Sequence, residues 1–157
     1  MRKWTGSAFE LEGGIGMSCK LSQRVDYGIR AMVEIANAGS QGITGATIAQ
    51  RSRIPKPFLK QIMATLVKSG FVESSRGPQG KYKLLMTPEE IRLSRIVLAL
   101  EGTVSLYDPA SPPGPALRFL FDQLSQAVSN ELEKVTLLDC MKAIEKDRGA
   151  QPLMFYI

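Results

Sequence analysis

Ile48-Ala-Gln-Arg-Ser-Arg-Ile54-Pro-Lys-Pro-Phe-Leu-Lys60-Gln-Ile62, continued by Lys68-Ser-Gly-Phe-Val72 and Ser75-Arg-Gly-Pro-Gln-Gly-Lys-Tyr82, decides the fold. It reads as the end of a short helix, a tight turn, a second helix, and two strands joined by a basic, glycine-rich loop. Ser52 to Pro55 is the turn, and Pro55 suits the first turn of the second helix, where a missing N–H costs nothing. Phe58, Leu59, Ile62, Met63 and Leu66 recur at helical spacing and mark that helix's buried side, and Gly70 stops it. Phe71-Val-Glu-Ser-Ser and Tyr82-Lys-Leu-Leu supply the strands. In this order the parts make a winged helix-turn-helix, whose expected ligand is duplex DNA.

Outward from this segment, Ser22 reads as the cap of a first helix with apolar positions Val25, Ile29, Met32, Val33 and Ile35. Gly39-Ser-Gln-Gly ends it, and Thr44 caps the short helix that holds Ile48 and Ala49. Thr87-Pro-Glu-Glu predicts another helix start, with Glu90 closing a capping box and Ile91 to Leu100 continuing it. Residues 103–115 are rich in Pro, Gly and Ser and read as a loop. From Ala116 a long amphipathic stretch follows, with Leu117, Phe121, Leu124, Val128, Leu132 and Val135 spaced alternately by three and four, as in a helix that pairs along another helix. Thr136 with Asp139 predicts a separate final helix. The fold class is therefore mostly α with a small β-hairpin wing: a winged helix-turn-helix over 17–102, the loop, and dimerisation helices over 116–150. Residues 1–16 read as a flexible leader, with Met17 an alternative start, and 151–157 as an apolar tail.

The 157 residues suit one modest domain with an extension, and 44% hydrophobic content is ample for a core. Thirteen of the 20 basic residues but only five of the 15 acidic ones precede Met86, so the basic half coincides with the helix-turn-helix. That asymmetry suits a polyanion-binding module joined to something else. No apolar run approaches a membrane span and no signal-peptide block is present, so a soluble, cytoplasmic protein with no membrane partner is expected.

Histidine is absent, and Cys19 and Cys140 are the only cysteines. No Ser-His-Asp, Cys-His or His-metal set can be assembled, and two thiols cannot make a four-cysteine metal site. Gly77-Pro-Gln-Gly-Lys is too short for a phosphate-binding loop, lacks the Ser/Thr and leads into a strand. Glu89 and Glu90 are accounted for by helix capping. No enzymatic activity, cofactor or metal is expected.

On the second helix, Lys56, Lys60 and Gln61 lie opposite the apolar side, where Lys and Gln reach base edges and phosphates. Arg76, Gly77 and Lys81 form the tip of the wing, and an arginine there suits the negative potential of a narrow minor groove. Arg24 and Thr44 complete the candidate DNA-binding set.

The ordered set Leu21-Ser22, Tyr27-Gly-Ile-Arg-Ala31, Ile48-Ala49, Ile54-Pro55, Phe58-Leu59, Gln61-Ile62, Gly70-Phe-Val72, Ser75-Arg-Gly-Pro78, Tyr82, Pro88, Leu100-Glu-Gly102 and Val135-Thr-Leu137 resembles the Rrf-two family of bacterial winged-helix regulators. The resemblance implies a homodimeric transcriptional regulator, a repressor, with one winged helix from each subunit on half of a roughly palindromic operator. It places Lys60 and Gln61 where the recognition helix meets bases and Arg76 where the wing enters the minor groove. Lys60 often corresponds to an acidic residue in the family, and Lys81 replaces a wing glycine, so the operator sequence does not carry over. Iron–sulfur members hold three cysteines in the loop after Gly102; here that loop has none, so no cluster is expected. A small molecule or a protein is left as the effector. The alternative is an interaction module whose winged helix is structural and whose C-terminal half docks an enzyme.

Overall fold

A computed structural model describes residues 21–75, 77 and 80–150, without the side chains of 148–150. The leader, Cys19, Arg76 and the tail lie outside the described residues. Helix α1 (Gln23–Ala38) begins where Ser22 Oγ accepts the Val25 N–H, and α2 (Gly45–Ser52) where Thr44 Oγ1 accepts the Thr47 N–H at 3.2 Å. Helix α3 (Lys56–Lys68) starts after Pro55, which is extended and precedes the helix rather than occupying its first turn. Pro57 takes that place, where it too sacrifices no intrahelical bond. Gly70, at φ +74°, ends α3 as the spacing predicts.

The wing has three strands rather than the two legible in the sequence. β2 (Val72–Ser74) and β3 (Lys81–Leu84) form the expected hairpin, and β1 (Ile43–Thr44) adds to the other side of β3, giving the antiparallel order β1-β3-β2. The register pairs Ile43 with Tyr82 and Val72 with Leu84. Two residues are too few to show an alternating pattern, so β1 carries no sequence signal of its own.

Helix α4 (Leu93–Glu101) begins later than Thr87 predicts. The capping-box bonds do form: Glu90 Oε2 accepts from the Thr87 N–H (2.9 Å) and hydroxyl (3.0 Å). They close only a single turn, because the next residues pair with the chain after α5 (Pro115–Lys134). The Leu93 N–H donates to the Val135 carbonyl (2.8 Å), the Leu137 N–H donates to the Ile91 carbonyl (2.9 Å), and Arg92 bridges Thr136. A local helix start thus yields to longer-range backbone bonds. α6 (Leu137–Ala150) follows at once, capped by Thr136 and Asp139 as predicted.

Helix α1 is the hub, packed against α2, α3, α4 and α6. Its Gly28 permits the close approach of α4, since a Cβ there would lie 2.2 Å from Leu100 Cδ1. Val25, Met32, Ile48, Ile62, Leu66, Phe71, Ile91, Ile96 and Leu137 form one buried core. Complete burial of such a side chain contributes about 1.5–3 kcal/mol. Because Leu137 belongs to this core and Cys140, Met141 and Ile144 pack on it, α6 is part of the winged domain's hydrophobic unit.

Candidate nucleic-acid interface

Helix α3 buries Leu59, Ile62, Met63 and Leu66 and turns Lys56, Lys60, Gln61, Ala64 and Lys68 to solvent. Phe58 departs from the expected pattern: it is 55% exposed. At 100° per residue it falls between the two faces, beside Gln61 and Thr65, one and two turns on. Arg24 is brought to this flank, its guanidinium donating to Thr65 Oγ1 at 2.9 Å. Arg24 thus lies on the flank of α3 that holds Phe58 and Gln61, whereas Lys56 and Lys60 lie further round the helix.

The turn before α3 is made by Arg53 in the left-handed conformation, φ 53° and ψ 42°. This lets the Ile54 N–H reach the Ala49 carbonyl at 3.0 Å and turns the chain between α2 and α3. The Thr44 hydroxyl caps α2 and contacts the Thr47 hydroxyl at 2.9 Å. Arg51 sits 3.8 Å from the buried Glu34 carboxylate, and its charge is partly committed there.

At the wing, the Lys81 N–H donates to Ser75 Oγ at 2.8 Å, the Ser75 N–H to the Lys81 carbonyl at 2.9 Å and the Gly80 N–H to the Gly77 carbonyl at 3.0 Å. A Cβ at Gly80 would lie 2.6 Å from the Ser75 carbonyl oxygen, and Gly77 has φ +117°, so both positions require glycine. Lys81 is exposed, with its ammonium donating to the Gln41 carbonyl at 3.3 Å. That bond ties the base of the wing to the turn before β1.

Of the apolar stripe on α5, Leu117 and Leu124 are exposed, while Phe121 and Val128 are half-buried. Leu132 packs on the core of the same chain, as does Val135, which terminates α5 rather than continuing it. Leu120, at 47% exposure, joins the outward stripe.

A family described as iron-dependent transcriptional regulators, Rrf2, matches residues 21–143. The chain belongs to the Rrf2 family. It is 32% identical to the HTH-type transcriptional regulator CymR of Bacillus subtilis over 139 residues, covering 88% of this chain and 99% of that one. It is also 32% identical to the HTH-type transcriptional regulator IscR of Cereibacter sphaeroides, covering 88% and 97%. The solved structure of T. potens IscR superposes with a TM-score of 0.69 at 30% identity, over 89% of this chain and 98% of that one. This Rrf2 chain is thus a winged-helix, DNA-binding transcriptional regulator, and its relatives carry regulatory rather than enzymatic names.

The donors present do not fit the iron in the family's description. The chain has no histidine and two cysteines, neither in the loop after Gly102. Among the described residues no three His, Cys, Asp or Glu side chains gather closely enough to hold a metal ion. Burial, and then the neighbouring Asp139 charge, push the Cys140 thiol up, away from the thiolate form that binds metals. Among the described residues no helix is long and apolar enough to cross a membrane.

Proposed function

We propose that this Rrf2 protein acts as a cytoplasmic homodimeric repressor without an iron–sulfur cluster, reading a roughly palindromic operator. Each subunit lays α3 in the major groove, with Lys60 and Gln61 on base edges and Lys56 and Arg24 toward phosphate. Arg76 enters the adjoining minor groove, with Gly77 giving the wing its close approach and Lys81 adding charge. The outward stripe of Leu117, Phe121, Leu124 and Val128 joins α5 to a second copy. Absence of cysteine from the loop after Gly102 leaves an effector other than a cluster.

The observation that carries this reading is the division of α3: four apolar side chains are buried and the opposite edge is cationic beside a tightly turned wing. The loss of a base contact costs about 1–3 kcal/mol, whereas loss of one phosphate contact mainly reduces the salt dependence by about 0.9 in slope. Lys60→Ala is expected to weaken operator binding about tenfold or more in a gel-shift titration, and Arg76→Ala to weaken it with a shallower salt dependence. Wild-type affinity in both variants sinks the placement.

A further inference from the structure

We propose that the cleft between residues 103–112 and α5 binds a small zwitterion of the amino-acid class, with Arg118 taking its carboxylate and Asp122 its ammonium group. The cleft measures about 410 Å³, within the range of small-molecule sites. Its walls are fixed by bonds between loop and helix. The Leu106 N–H donates to Ser125 Oγ at 3.1 Å, and that buried hydroxyl donates to the Phe121 carbonyl at 2.7 Å. Tyr107 lies against Phe121, with ring centroids 6.4 Å apart, and its hydroxyl donates to Asp122 Oδ1 at 2.8 Å.

Arg118 and Asp122 are one helical turn apart on the same wall, yet neither belongs to the ion pairs of the described residues, which are Arg30–Asp26, Arg51–Glu34 and Lys134–Glu131. The tyrosine bond fixes the Asp122 carboxylate and leaves Oδ2 for a ligand. A guanidinium supplies the forked donors that a carboxylate requires, and a carboxylate accepts from an ammonium. Thr103 adds a hydroxyl, and Val104, Pro109 and Pro112 give the cleft an apolar side for the rest of the molecule. On α5 this wall lies roughly 100° round the helix from the Leu117, Leu124 and Val128 stripe, so a second copy seated on the stripe leaves the cleft open.

The test is calorimetric titration of the purified full chain, without DNA, with free α-amino acids supplied singly. Each amino acid that binds is then compared with its analogues lacking either the amine or the carboxylate. At least one amino acid is expected to bind, and each half-analogue about tenfold or more weakly, as expected for loss of a charge-assisted hydrogen bond. Arg118→Gln and Asp122→Asn are each expected to weaken binding to a similar degree, with Arg118→Lys recovering part of it. Both side chains are exposed, so the unliganded variants should melt as wild type does. No binding by any amino acid, equal binding by a half-analogue, or binding that survives both charge-removing variants overturns the proposal. Because no DNA is present, failure here is independent of the operator reading.

Discussion

Arg53 occupies a conformation that an L-residue avoids, at a cost of roughly 1–2 kcal/mol. The geometry is imposed by the turn between α2 and α3, which needs a left-handed residue to bring Ile54 into the core. Glycine meets that requirement without the steric penalty, while losing more entropy on folding. Arg53→Gly is therefore expected to raise stability by up to about 1 kcal/mol, read from denaturant midpoints at unchanged slope. A destabilised variant would mean that the arginine side chain contributes packing beyond the backbone geometry. Phe58 shows the corresponding limit of pattern reading: its apolar chemistry suggests the buried side, but its angular position lies on the flank of α3 beside Gln61 and Thr65.

Two turns carry their own acid sensitivity. The Glu90 carboxyl is held below its ordinary range by the Thr87 backbone N–H and then the Thr87 hydroxyl; the Asp139 carboxyl is lowered by the same pair of bonds from Thr136. A depressed folded-state value means that the stabilisation is fully present above the unfolded-state value and is lost as pH falls through the folded one. Melting temperature is thus expected to fall on the acid side of the ordinary carboxylate range, and Glu90→Gln with Asp139→Asn to make that fall shallower. An unchanged acid profile in the double variant would mean that these caps carry none of the acid sensitivity. The same two capping boxes show how far the sequence can be read at this scale. Thr136 and Asp139 do start α6, but Thr87 and Glu90 start only a turn, because nothing near Ile91 reveals its backbone bond to Leu137. Helices α1, α2 and α3, the hairpin and α5 were legible from spacing and caps, whereas β1 is too short to leave a period. In the candidate site, the cationic edge of α3 and the Thr44 cap of α2 were legible, but not the bond that brings Arg24 to Thr65.

At the scale of the molecule, two surfaces with different chemistry lie on one frame: the cationic edge of α3 with the wing, and the apolar stripe of α5. Exposed Leu117, Leu120 and Leu124 contribute little to the core of a single chain, so a charge there should spare the fold and break the proposed pairing. Leu124→Glu is expected to sediment as a folded monomer and to bind operator far more weakly than the dimer, since the two half-sites no longer act together. A variant that remains dimeric would move the interface away from α5. Selection from random duplexes by wild type and Lys60→Ala tests the sequence-specific reading of DNA by α3. Wild type is expected to enrich one two-fold-symmetric sequence, and Lys60→Ala a sequence changed at matching positions of both half-sites; no enrichment by wild type, or an identical sequence from both proteins, rules out base reading by α3.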